Sequence, residues 1–309
     1  MAIAPVSFAL GPIDPDRFAR ELGESFERFG FAVIADHGLD QGVIDRALVS
    51  SKAFFALPDD VKRRYFVEGG AGQRGYTPFG VEIAKGHEHV DLKEFWHVGR
   101  ELPAGHPASA VMPANLWPSE IESFKADVYG LFQALDAMGA TMLAAIARHL
   151  GEAEDFFVDP VRDGNSILRL LHYPPMPANT GGRIRAGAHE DINVITLLLG
   201  AEEAGLQVKP LGESEWIDVA PPPGALVCNV GDMLQRLTAG RLPSTSHRVI
   251  NPAPERASFS RFSTPFFLHF RPDYLITPLS SCVTPERPGE APITADDYLK
   301  ERLAEIGLM

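Results

Sequence analysis

Downstream of Asp163 the chain breaks into short apolar runs separated by turns: SILRLLHY, INVITLLLG, GLQVKP, EWIDV, ALVCNV, HRVINP and RFSTPFFLHF. Each run has the length and the β-branched and aromatic content of a strand. Several such strands at this spacing predict a barrel or jelly roll in place of alternating βαβ units.

The first 160 residues read differently. Asp14 before Pro15 is a helix start, and Phe18, Leu22, Phe26 and Phe29 recur at helical spacing until Gly30 stops the run. FAVIAD reads as a short buried strand. A second helix, from about Gln41 to Phe55, buries Val43, Ile44, Leu48 and Phe55. Residues 67–116 are rich in Gly, Pro, His and charge, which predicts irregular loops with a few edge strands. Ser119 and Glu122 have capping-box spacing ahead of a long helix whose Phe124, Val128, Leu131, Leu135, Met138, Met142 and Ile146 share one face as far as Gly151. Thr294 caps a final short helix, DDYLKERLAEIG. The expected class is α+β with a mostly β core. A helical scaffold (1–160), a barrel (161–285) and a C-terminal helix (286–309) are expected to fold together as one domain.

At 309 residues and 45% hydrophobic content the chain can bury a sizeable core. Lys plus Arg total 28 against 41 Asp plus Glu, a formal charge of -13 that repels phosphate backbones and anionic lipid surfaces, so neither nucleic acid nor membrane is expected as a partner. Two cysteines, Cys228 and Cys282, have no spacing of a disulfide framework or zinc cluster, which fits a reducing, cytoplasmic home. The N-terminal residues lack a basic segment followed by a long apolar one, and no stretch approaches the roughly 20 uncharged apolar residues of a membrane span. A soluble, unprocessed protein is expected.

The chemistry points to AHEDINVITLLLG. His189 and Asp191 alternate on an extended segment and so point the same way, and His247 in TSHRVINP returns from a distant strand. Two imidazoles and one carboxylate suit iron(II) with open coordination positions. An Asx turn at Asp191 and a strand-end role for His247 are the alternatives. A rival set, His87, His89 and Asp91 in GHEHVD, also alternates, but ligands spread by about 6.6 Å per alternate residue of one strand are too linear to cap a metal. Gly70, Gly72 and Gly75 match a dinucleotide-binding pattern, yet Tyr76, Thr77 and Pro78 follow where a helix should begin. There is no phosphate loop and no GxSxG elbow, and Ser246 is merely adjacent to His247.

Arg261 and Ser263 in SRFSTPFF alternate on a predicted strand, a fork and a hydroxyl suited to clamping a carboxylate. With these residues in hand, the chain resembles the iron(II)- and 2-oxoglutarate-dependent oxygenases, in the branch that includes isopenicillin N synthase. His189, Asp191 and His247 match the family's metal triad, and Arg261 with Ser263 its Arg-x-Ser clamp. FGFAVIADHGL, SKAFFALPDDVKRRY, RGYTPFGVE, DLKEFWHVG, GLQV, NVGDMLQRLTAG and STSHRV extend the likeness over nearly the whole chain.

The resemblance implies a double-stranded β-helix, a jelly-roll barrel holding iron(II) at its open end. Dioxygen and 2-oxoglutarate would be co-reactants, with Arg261 on the distal carboxylate, Ser263 helping and Tyr173 nearby. Oxidative decarboxylation to succinate and carbon dioxide would be coupled to oxidation of a small molecule, by default its hydroxylation. The Arg-x-Ser pair alone leaves open a cosubstrate-independent oxidase like isopenicillin N synthase, where it grips the substrate's carboxylate. That enzyme has an extra glutamine ligand near its end, and no glutamine follows Gln235 here, which favours a 2-oxoglutarate user. A non-catalytic metal-binding barrel is the third reading. By the same resemblance Arg74, Tyr76, Phe79, Glu94 and Trp96 border the substrate pocket, and Arg183 and Arg185 precede the metal strand. Cations there would suit an anionic or amino-acid-like substrate.

Overall fold

The structure is a computed structural model that describes residues 3–70, 72–81, 92–176, 184–199 and 205–305. Seven α-helices lie among them: α1 (Pro15–Phe29), α2 (Gln41–Phe55), α3 (Asp59–Lys62), α4 (Phe124–Leu150), α5 (Val158–Val161), α6 (Asp232–Leu237) and α7 (Ala295–Glu305). The first strands are β1 (Pro5–Ser7), β2 (Phe31–Ala35), β3 (Gly75–Thr77), β4 (Glu94–Gly99) and β5 (Ile167–Tyr173). The rest are β6 (Ala186–His189), β7 (Ile195–Leu199), β8 (Leu206–Val208), β9 (Ile217–Asp218), β10 (Leu226–Val230), β11 (His247–Val249), β12 (Arg261–Leu268), β13 (Leu275–Ile276) and β14 (Ile293–Thr294).

Local chemistry sets the first helix. The Asp14 carboxylate accepts the Arg17 N–H at 3.1 Å, and Gly30, in the left-handed region at φ 67°, turns the chain directly into β2. Thr294 likewise caps α7, its hydroxyl oxygen accepting from Asp297 N at 3.2 Å. The expected capping box before α4 does not form. Residues 119–123 turn instead, Ser119 N–H donates to the Tyr65 hydroxyl at 2.9 Å, and the helix starts at Phe124 behind Ser123, which makes no side-chain cap. Anchoring that loop to Tyr65 takes Ser119 away from the helix axis.

Two sheets make the jelly roll. The larger runs β1-β2-β10-β7-β12-β5-β4-β3 and the smaller β6-β11-β8-β9. Phe31, Val33 and Val227 of the first pack with Ala186, Leu206, Val208 and Val249 of the second, closing one end of the sandwich. The outer face of the larger sheet lies on α4: Phe132 meets Phe266 edge-on at 5.1 Å, and a Cβ on Gly139 would stand 2.4 Å from Leu268, so glycine permits the close approach. By length and composition α4 could cross a membrane, but 56% of its apolar stretch is buried inside the fold. Of the strands in residues 67–116, β3 is an edge strand as expected, whereas β4 lies buried between β3 and β5, because Trp96 and Val98 supply apolar side chains to the helical layer.

Candidate active site

The β6–β11 ladder places His189 directly opposite His247, with ring centroids 4.4 Å apart. Each ring is fixed by its own backbone: Nδ1 of His189 lies 2.8 Å from Gly187 O, and Nδ1 of His247 lies 3.1 Å from Thr245 O. A carbonyl only accepts, so each Nδ1 carries the proton and each Nε2 keeps its lone pair for a metal. Asp191 Oδ1 lies 3.9 Å from Nε2 of His189 and 3.8 Å from Nε2 of His247. All three ligand atoms fall within 4.8 Å of one another, close to the ~4.2 Å that two ligands on one ion can span. Among the described residues no other group of His, Cys, Asp or Glu converges this way. His87, His89 and Asp91 lie outside the described residues.

The other oxygen of Asp191 is occupied by protein. Thr196 Oγ1 on β7 donates to Oδ2 at 2.5 Å and Asn229 Nδ2 on β10 donates at 2.8 Å, which aims Oδ1 at the imidazoles. Burial pushes the Asp191 carboxyl up, but His247, His189 and the two hydrogen bonds outweigh it and hold it below its ordinary value. Burial, then the neighbouring His247, lowers His189 to about 4. Two imidazole Nε2 atoms and a carboxylate oxygen are a donor set that suits iron(II), so the residues fit the ion.

Arg261 and Ser263 project inward from β12, both buried, opposite Tyr173 and Leu171 of β5. The Arg261 guanidinium lies 5.1 Å from the centre of the Tyr173 ring. Arg185, expected at the substrate rim, joins this group: it is fully buried and 5.9 Å from the same ring.

A cavity of about 600 Å³ opens beside the metal ligands. Its wall corrects several expected substrate residues. Tyr76, Glu94 and Trp96 sit on the opposite face of the larger sheet. Trp96 packs on Phe54 at 4.6 Å and on Phe124 at 5.3 Å, while Glu94 takes hydrogen bonds from Lys62 at 2.9 Å and from Tyr76, and pairs with His172 at 2.7 Å. Strand alternation gives the reason: the residues of the other parity, Thr77, Phe95 and His97, line the cavity. Arg74 is buried one layer behind the wall, Phe79 is 45% exposed on the surface, and Arg183 lies outside the described residues.

Sequence reasoning passed over Lys93, Asn165, Arg169, Phe267 and His269, all on the wall. A signal existed for two of them, since Phe267 and His269 continue the inward parity of Arg261 and Ser263. Leu299 and Arg302 of α7 also reach the cavity, and the guanidinium groups of Arg236 and Arg302 lie 5.2 and 5.3 Å from the centre of the Tyr298 ring. Nothing in the sequence marks that helix as part of the site.

Two family models match the chain. The N-terminal region of the non-haem dioxygenases in morphine synthesis covers residues 5–120, and the 2OG-Fe(II) oxygenase superfamily covers residues 164–270. A 2-oxoglutarate-Fe(II) type oxidoreductase from Emericella nidulans is 32% identical over 92% of this chain and 83% of its own length. A 2OG-Fe(II) oxygenase family protein from Caulobacter crescentus superposes with a TM-score of 0.92 at 58% identity, covering 99% of each chain. A Neurospora crassa protein solved with alpha-KG and thymine does so with a TM-score of 0.85 at 27% identity, over 98% of this chain and 96% of that one. Matched by both models along most of its length and by a curated relative at this identity, the chain belongs to the iron(II)- and 2-oxoglutarate-dependent oxygenases, enzymes that use iron(II), 2-oxoglutarate and dioxygen.

Proposed function

We propose that this oxygenase hydroxylates a small, polar, uncharged molecule, with iron(II) held by His189, Asp191 and His247 and the far carboxylate of 2-oxoglutarate held by Arg261, Ser263 and Tyr173. The observation that carries the reading is the convergence of two Nε2 atoms and Asp191 Oδ1 at one end of a barrel that buries a guanidinium on its inner face. When bound, iron(II) with 2-oxoglutarate and dioxygen supplies the oxidising power, and succinate and carbon dioxide leave. The chain's own part is positional. Gly187 and Thr245 carbonyls hold the imidazole tautomers, Thr196 and Asn229 hold the carboxylate, and Phe95, Phe267 and Leu299 keep water from the chamber.

Charge on the wall supports an uncharged substrate over the anionic or amino-acid-like one expected from Arg74, Arg183 and Arg185. Lys93, Arg169 and Arg302 are set against Glu190, Asp232 and Glu305, with Asp191 turned to the metal. The thymine bound by the Neurospora relative is itself a small uncharged ring. A cytoplasmic location belongs to the same proposal, supported by two buried cysteines that remain free thiols.

The test is anaerobic addition of iron(II) and 2-oxoglutarate to the protein. A visible metal-to-ligand charge-transfer band is expected. Its absence at saturating iron, with a protein that binds the metal, would falsify bidentate cosubstrate binding.

A further inference from the structure

We infer that Asn165 and His269 form the head-group subsite of the cavity, and that the head they recognise is an amide-like edge, a carbonyl beside an N–H, as in a lactam. The inference rests on reading this cavity as the substrate chamber.

The two residues meet where β5 and β12 run together. Asn165 N–H donates to Phe270 O at 3.3 Å, His269 N–H donates to Ser166 Oγ at 3.2 Å, and a Cβ on Gly164 would stand 2.1 Å from His269 O. Glycine at 164 thus lets the chain before β5 press against the end of β12, and both side chains turn to the cavity.

Each is 7% exposed. Behind Asn165 lies Arg74, itself buried, whose Nη2 donates to Asn165 Oδ1 at 3.4 Å and whose Nη1 donates to Gln73 O at 2.7 Å. A carboxamide with its oxygen on a guanidinium must turn its NH2 the other way, here toward the cavity. That NH2 makes no hydrogen bond among the described residues, and neither does the His269 ring. Both face the cavity, so only what fills it, water or a ligand, can satisfy them, and together they offer a ligand two neighbouring polar groups on one wall.

The identity of the ligand follows from what the pair offers. Burial, helped by the Arg74 charge, outweighs the opposing pull of Asp191 and lowers His269 to about 4, so the neutral imidazole has one donor and one acceptor nitrogen. Asn165 supplies a donor. A donor from Asn165 beside an acceptor on His269 complements a carbonyl next to an N–H. A carboxylate has no proton to give the imidazole acceptor, and an N-alkylated amide has lost it. Phe95 and Phe267 line the same cavity and suit the faces of a flat ring.

The experiment uses the full chain loaded anaerobically with iron(II) and 2-oxoglutarate. A panel of cyclic amides, each paired with its N-methyl derivative and with a carboxylic acid on the same ring, is titrated while the charge-transfer band is followed. At least one lactam is expected to perturb the band, with its N-methyl and acid partners at least tenfold weaker. Asn165→Asp should lose that lactam at least tenfold, and His269→Phe should bring the N–H and N-methyl compounds to equal affinity. In both variants the band given by 2-oxoglutarate alone should persist. The inference fails if a wild type that shows the band ignores every lactam, if acids or N-methyl compounds bind as well, or if both variants keep the wild-type preference. A wild type without the band sinks the cosubstrate reading instead, and the same compounds are then ranked by the rise they cause in unfolding temperature, where equal rises across each trio overturn the subsite.

Discussion

Tyr173 stands directly opposite Arg261 in the β5–β12 ladder, and the guanidinium lies 5.1 Å from the centre of its ring. The ring limits where the fork can point, which fits the proposed carboxylate clamp. Arg261→Ala should raise the Kd for 2-oxoglutarate by about tenfold or more, since a charge-assisted hydrogen bond is worth about 1.5–3 kcal/mol. Iron should still bind. Arg261→Lys should fall between, because an ammonium cannot present a planar fork. An unchanged Kd in the alanine variant, read from titration of the charge-transfer band, would remove the clamp assignment.

His189→Ala, Asp191→Ala and His247→Ala should each abolish succinate release. A finer test concerns the residues behind Asp191. Asn229→Leu or Thr196→Val removes a hydrogen bond from its outer oxygen, and iron affinity should fall about 10- to 100-fold with the three ligands intact. Equilibrium iron binding measures it, and wild-type affinity in both variants would leave Asp191 positioned by something else.

The outer face of the larger sheet holds a buried ion network, Lys62 and Glu94 at 2.9 Å, each side chain almost wholly covered. Lys62→Met leaves the Glu94 carboxylate buried without its cation and should destabilise the fold by about 3–5 kcal/mol. Urea unfolding gives the number. A loss below about 1 kcal/mol would mean that Tyr76 and His172 alone suffice for Glu94.

Acid should weaken the metal-free protein through His269. Burial lowers its folded pKa to about 4 from an ordinary 6.5. Between those values the unfolded chain binds the proton and the folded one does not, so stability rises with pH there and is lost as pH falls from 6.5 toward 4. His269→Phe should flatten that slope, cutting proton uptake on unfolding near pH 5 by up to about one. Denaturant melts at a series of pH values report it, and an unaltered slope would show that His269 is already solvated in the folded state.

Much of the architecture was legible because its signals are local. Asp14, Pro15 and Gly30 bracket α1, and the apolar face from Phe124 to Ile146 marks α4. The metal triad was legible for a different reason: an HxD pair beside a run of strand residues has few uses in a barrel. The substrate wall was not, and along β4 the failure has a plain physical cause. Glu94 and Trp96 carry the more eye-catching side chains of β4, yet the pleat sends them to the helices and gives Phe95 and His97 to the cavity. Polarity could not settle that choice, because the helical layer buries its own charged network. The contribution of α7 was illegible for another reason, since it depends on where a distant segment docks.

Leu299 and Arg302 are made after every metal ligand and every barrel strand. A ribosome-bound chain therefore acquires its iron-binding residues before its reaction chamber is complete, and a version cut before Ala295 would lack the part of the wall that Leu299 and Arg302 supply.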